Sequence, residues 1–133
     1  MGLLKNLMIK LHRRSGDRFM GMDLLYLTTV GAKSGEKRQS PVARVADGDD
    51  AWLIAGTNGG KSQHPAWYHN VKAHPDQVWF EYGGQTVQAQ VEELHGPRRD
   101  EAWQQILVDQ PRFADYARKT DRVIPILRLT RAV

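Results

Sequence analysis

Met22-Asp23-Leu24-Leu25-Tyr26-Leu27-Thr28-Thr29-Val30 runs straight into Gly31-Ala32-Lys33-Ser34-Gly35, and the reading of this junction sets the fold. The first nine residues are rich in aliphatic, aromatic and β-branched side chains, which suit a strand, and the glycine ends it. Working outward, a second strand is expected over residues 38–46. The turn Asp47-Gly48-Asp49-Asp50 then leads into a short apolar run over 51–57 that suits a buried strand. Pro65 opens a short helix reaching about residue 73, as proline is favoured in the first helical turn. Residues 77–82 and 85–93 flank the hairpin turn Gly83-Gly84, with Val87, Ala89 and Val91 alternating inward. Residues 97–109 read as a helix burying Trp103, Ile106 and Leu107, and residues 123–130 supply a sixth strand. A parallel sheet would need a crossover helix after nearly every strand. These consecutive hairpins instead predict an α+β domain, a six-stranded antiparallel closed or split β-barrel with flanking helices.

The chain has 133 residues, of which 41% are hydrophobic, enough for one domain built on a single core. Its formal charge of +4 favours anionic partners without choosing among them. Cysteine is absent, which removes disulfides, thiolate nucleophiles and Cys-ligated zinc and is compatible with a reducing cytoplasm. Residues 1–20 are expected to form an amphipathic helix and lead-in, ahead of a single domain over 21–133. Leu3, Leu4, Leu7, Met8 and Leu11 share one helical face, flanked by Lys5, Lys10, His12, Arg13 and Arg14. Such a helix packs on its own domain, packs on a second subunit in a homodimer, or lies on the inner face of the cell membrane. It is too short and too charged to span a bilayer, and it has no signal-peptide pattern.

Two Gly/Lys loops, Gly31-Ala32-Lys33-Ser34-Gly35 and Gly59-Gly60-Lys61-Ser62, look like a cradle for an anion. Glycine lets a backbone approach a ligand while lysine supplies charge. The amides near Ala66, Trp67 and Tyr68, at the start of the following helix, face the same ligand. A P-loop is excluded because its first glycine would fall at Ala55. His64, His69 and His74 are five residues apart, which turns successive side chains about 140° on a helix, so no metal site is expected. Nucleic-acid binding has only the charge in its favour, since no recognition motif is present and acidic residues are interspersed.

These residues occur in a recognisable order. Leu27 to Gly35, Arg38 with Pro41, Gly59-Gly60, His64-Pro65-Ala66-Trp67-Tyr68-His69-Asn70, Ala73-His74-Pro75, Tyr116 and Thr120-Asp121-Arg122-Val123-Ile124-Pro125 together resemble the deazaflavin-dependent nitroreductase family. The resemblance implies a split barrel like that of FMN-binding flavoproteins. It also implies use of the reduced deazaflavin coenzyme F420 as hydride donor to a small electron-poor acceptor (a quinone, an enone or a nitroaromatic), mainly in actinobacteria. Carried over residue by residue, Lys33, Ser34, Arg38, Gln39, Pro41, Val42 and Ala43 would hold the coenzyme's phosphate and oligoglutamate tail and one ring edge. Thr57, Asn58, Pro65, Ala66, Trp67 and Asn70 would border the ring, and Tyr116 would orient the acceptor or donate a proton. Two other readings stay open at this point, an FMN-dependent reductase and a non-catalytic carrier of F420 or lipid.

The chain departs from the family pattern in two places. Many members carry arginine where this chain has Ala32 and lysine where it has Asn58, so two cationic contacts are missing. Phe113 stands where some members have tyrosine, which leaves an apolar wall on the expected acceptor side.

Overall fold

The computed structural model of the chain describes residues 18–19 and 22–132. Its organising strand is the one quoted above, β2 (Met22–Val30), which pairs with β1 (Arg18–Phe19), with β3 (Lys37–Ala43) and with β6 (Trp79–Tyr82). Leu25, Tyr26 and Leu27 are completely buried, so both faces of β2 are covered, as its unbroken apolar run requires. The other strands are β4 (Val45–Ala46), β5 (Ala51–Ala55), β7 (Gln85–Glu93) and β8 (Ile126–Arg131), and every pairing is antiparallel. Among the described residues there are also three helices, α1 (Ala66–Ala73), α2 (Gly96–Asp109) and α3 (Phe113–Arg118), and a 3-10 turn over Asn58–Gly60.

The pairings form a closed circuit. From β2 it passes through β6, β7, β8 and β5 to β4, which continues β3 past Arg44 and so returns to β2. With β3 and β4 taken as one interrupted strand, and β1 as a short addition, this is the six-stranded split barrel expected from sequence. The chain changes sheets at two corners. Ala43 lies opposite Leu24 on β2 while Val45 lies opposite Leu53 on β5, and Gln88 lies opposite Trp79 on β6 while Ala89 lies opposite Arg131 on β8.

The first corner corrects the expectation of one strand over 38–46, and Arg44 explains it. Its amide donates to Asp23 O at 2.9 Å and its guanidinium donates to Leu24 O. The same guanidinium lies 5.3 Å from the Trp52 ring centroid and 5.2 Å from that of Tyr82, so one side chain is fastened to β2, β5 and β6 together. Three strand ends also move by two residues or more. β5 stops at Ala55 because the Gly56 amide turns to Pro125 O at 2.9 Å, β8 begins after Pro125, which has no N–H to give a ladder, and β6 begins at Trp79. Pro65 precedes α1 rather than lying in its first turn: its ψ of 152° is extended, and its carbonyl accepts the Tyr68 amide at 3.0 Å. Of the three amides expected to face a ligand, that of Tyr68 is therefore already used.

The core has two parts. Leu25, Leu27, Ile54, Phe80, Leu127 and Leu129 fill the barrel lumen, into which α1 inserts Trp67 and Val71. Val45, Leu53, Leu94 and Ile126 pack under Ala102 and Ile106 of α2 and Phe113 of α3. Neighbours such as Leu53 and Ile54 fall into different parts because successive strand side chains point to opposite faces. Each such fully buried side chain is worth about 1.5–3 kcal/mol of transfer free energy. On α2, Ala102 and Ile106 are the deeply buried residues, and Trp103 and Leu107 are half-buried at the rim. The amphipathic helix expected within residues 1–20 lies outside the described residues except at Arg18–Phe19, whose pairing with β2 begins the barrel before residue 21. Among the described residues no helix is long and apolar enough to cross a membrane.

Candidate active site

A cavity of about 500 Å³ opens between β3, the turn after β5, the start of α1 and α3. Pro41, Val42 and Ala43 form one wall. Thr57, Asn58 and Gly59 form the floor with Pro65, Ala66 and Trp67, while Phe113 and Tyr116 face them from α3. The Trp67 side chain is 9% exposed and anchored in the lumen cluster, so the α1 start is held rigidly against the barrel.

The floor is a strained turn. Asn58, Gly59 and Gly60 have φ of 47°, 65° and 83°, three successive residues in the left-handed region, where glycine carries no Cβ penalty and asparagine is the most tolerant alternative. Asn58 Nδ2 donates to Gln63 O at 3.0 Å. Where the resemblance implies a lysine, this chain thus has a side chain occupied in holding the turn.

Arg122 spans the same turn from outside. Its Nη2 donates to Thr57 O at 2.8 Å and its Nε to Lys61 O at 3.0 Å, so it grips the carbonyls just before and just after the left-handed segment. Its Nη1 lies 2.9 Å from His64 Nδ1. A guanidinium only donates, so Nδ1 must be the acceptor and His64 carries its proton on Nε2. Burial, the Arg122 charge and His69 all hold the His64 pKa below its ordinary value, against an opposing pull from Glu93. Burial also lowers the pKa of Arg122.

The first glycine loop is fixed by Asn70. Its Oδ1 accepts the Ala32 amide at 2.9 Å and its Nδ2 donates to Thr29 Oγ1 at 3.2 Å. The buried Asn70 amide thus ties α1 to the end of β2 and does not line the cavity. Ser34 Oγ accepts the Glu36 amide at 3.2 Å, Arg38 pairs with Glu36 at 3.1 Å, and Lys33 is exposed. Gln39 sits opposite Thr28 on β2. Lys33, Ser34, Arg38 and Gln39 therefore lie along β3 and the loop before it, upstream of the cavity wall.

On the outer side of α1, Tyr68 Oη donates to Glu93 at 2.8 and 3.0 Å, and Lys72 Nζ donates to the same carboxylate at 2.8 Å. Burial pushes Glu93 up, but the Lys72 and Tyr68 hydrogen bonds outweigh it and leave its pKa below the ordinary carboxylate value. Burial, and then the Glu93 hydrogen bond, raises that of Tyr68.

The cavity gathers Pro41, Val42, Ala43, Thr57, Asn58, Pro65, Ala66, Trp67 and Tyr116 from the residues picked out in the sequence, along with Phe113. It also includes Gly59 of the second glycine loop, Ser40 of the same strand wall, and Met22, Leu24 and Ala55, which the sequence reading did not assign to the site. Met22 and Leu24 read simply as strand residues, and only the register placing Leu24 opposite Ala43 brings them to the wall. Arg122 was visible as part of Thr120-Asp121-Arg122, but its clamp joins residues too far apart in sequence to be read from spacing.

Residues 5–131 match the sequence model of a family described as F420H(2)-dependent quinone reductase. The chain belongs to this family. An F420H(2)-dependent quinone reductase of Mycobacterium tuberculosis (strain H37Rv) is 37% identical over 122 residues, covering 89% of this chain and 80% of that protein. A solved F420-H2 dependent reductase superposes with a TM-score of 0.70 at 36% identity, covering 80% of this chain and 92% of the other. A second structure, described as a domain-swapped dimer, gives 0.72 at 32% identity and covers 96% of both chains. The reductase is thus an F420H2-dependent oxidoreductase on a split barrel, and the FMN alternative is not needed.

Proposed function

We propose that the protein reduces a quinone with F420H2, the deazaflavin lying in the cavity against β3 and the start of α1 and the quinone against α3. The observation that carries this reading is the cavity itself. It has one flat wall of Pro41, Val42 and Ala43 and an aromatic wall of Phe113 and Tyr116, whose rings lie 5.5 Å apart. A planar tricycle fits such walls, and the Ala66 and Trp67 amides at the α1 start offer donors for its carbonyl edge. Lys33 and Arg38, farther up the chain from the wall, would receive the anionic tail. When bound, the coenzyme supplies the hydride.

The protein's own part is alignment, exclusion of water and one proton. Trp67 and Phe113 exclude water, and the clamped Thr57–Gly59 floor fixes the depth at which rings stack. Hydride addition to the quinone leaves a quinol anion, whose oxygen takes a proton from the Tyr116 phenol, and solvent then restores that proton. Phe113 adds no second hydroxyl, so the acceptor side favours flat apolar quinones. We place the protein in the cytoplasm as one domain that includes the Arg18–Phe19 pairing with β2. The domain-swapped relative supports a homodimer.

The test is a titration with F420 and, separately, FMN, followed by fluorescence quenching, then addition of menadione to the F420H2 complex. Selective F420 binding with menadione-dependent return of oxidised deazaflavin absorbance is expected. Binding without turnover would overturn the reading in favour of a carrier.

A further inference from the structure

The Thr57–Lys61 turn is an unstable piece of backbone in an important place. Three left-handed residues in a row cost free energy wherever one is not glycine, and two of the three, Asn58 and Gly59, line the cavity. Among the described residues no strand pairs with this turn. Its carbonyls at either end, Thr57 O and Lys61 O, are gripped by a single side chain that comes from the other end of the chain.

We propose that Arg122 is a positioning residue for the reaction, setting the cavity floor by clamping both ends of the Asn58–Gly60 turn, and that it is itself held in place only while His64 is neutral. The inference rests on the functional reading above for what the floor contacts, but not for the clamp.

The geometry makes the dependence direct. Three of the guanidinium's donors are used, by Thr57 O, Lys61 O and His64 Nδ1, and the last is an acceptor only when unprotonated. Protonation would place two cations about a hydrogen bond apart. His64 faces charged and titratable groups from each neighbouring element. These are Arg122 from the segment after α3, the Tyr68 and His69 rings of α1 at 4.8 and 5.8 Å, and the Glu93 carboxylate of β7, itself held by Tyr68 and Lys72. Among these groups Glu93 favours the imidazolium, and its charge is already shared between two donors. Burial and Arg122 prevail, in keeping with the lowered pKa of His64. Acidification therefore removes the third anchor and pushes Arg122 away from the turn.

The test compares wild type, Arg122→Lys and His64→Gln. A lysine keeps the charge but cannot reach two carbonyls with one planar fork, whereas glutamine offers a carbonyl acceptor that does not titrate. Amide-exchange protection over residues 58–61 is measured between about pH 8 and about pH 4 together with the Kd for F420, a window that reaches well below the ordinary histidine pKa because that of His64 is lowered. Wild type is expected to lose protection on acidification and His64→Gln to keep it. Arg122→Lys is expected to exchange faster at both ends of the range and to bind F420 about tenfold more weakly. Equal protection in wild type and Arg122→Lys, or the same pH response in wild type and His64→Gln, would overturn the proposal. If Arg122→Lys fails to fold, the His64→Gln comparison still decides the matter. Failure of wild type to bind F420 at about pH 8 would overturn the functional reading and leave the exchange result standing.

Discussion

The Gly60 α-carbon is packed directly onto the Tyr116 carbonyl: a Cβ added at Gly60 would lie 2.9 Å from that oxygen and 2.9 Å from Lys119 Cβ. The floor of the cavity and the helix that forms its opposite wall are thus in backbone contact. Gly60→Ala must shift α3 or abandon a φ of 83°, and about 1–3 kcal/mol of stability should be lost in chemical denaturation. Gly59 has a φ of 65° but nothing within 4 Å, so Gly59→Ala should lose only the strain, about 1 kcal/mol, and Tyr116 should stay in place. The pair of variants separates backbone strain from displacement of the wall.

Tyr116→Phe keeps the ring on the cavity wall and removes the hydroxyl. F420 binding should be unchanged, while kcat for menadione falls by about 10- to 100-fold, read from steady-state kinetics with both substrates varied. An unchanged kcat would assign the proton to solvent.

Asn70→Ala leaves the Ala32 amide and Thr29 hydroxyl without their partner. A loss of about 1–3 kcal/mol in denaturant melts is expected, with weaker F420 binding through a loosened Gly31–Gly35 loop. Lys33→Ala, on the same loop but exposed, should weaken F420 binding only about two- to fivefold without affecting the melt.

Glu93 adds a pH dependence of its own. Its folded pKa lies below the ordinary value of 4.5, so its stabilisation is complete above that pH and is lost as pH falls through the lower folded value. Acid melts of wild type should show this loss, and Glu93→Gln should flatten it. A parallel decline in both proteins would place the acid sensitivity elsewhere.

Much of the barrel was legible because its longest strands carry their own punctuation. β2 and β7 run over 22–30 and 85–93 as read, one ended by Gly31 and the other begun by Gly83-Gly84. The break at Arg44 was not legible, because Val42 to Val45 has an ordinary strand pattern and the change of partner is set by Leu24 and Leu53, both distant in sequence. Helix α3, six residues long, is too short to show a periodic stripe. At the site, residues 41–43 and 65–67, which the resemblance sets around one ring, line the same cavity. Asn70 was read as a ring contact, whereas its amide lies beneath the first loop, a distinction only the tertiary hydrogen bonds reveal.

The two walls of the cavity are made by different means. Residues 41–43 belong to a strand laced to β2 along its length, whereas Phe113 and Tyr116 stand on a short surface helix. On the placement proposed above, substitutions at Phe113 and Tyr116 would alter the side that meets the oxidant and leave the strand wall that meets the reductant intact.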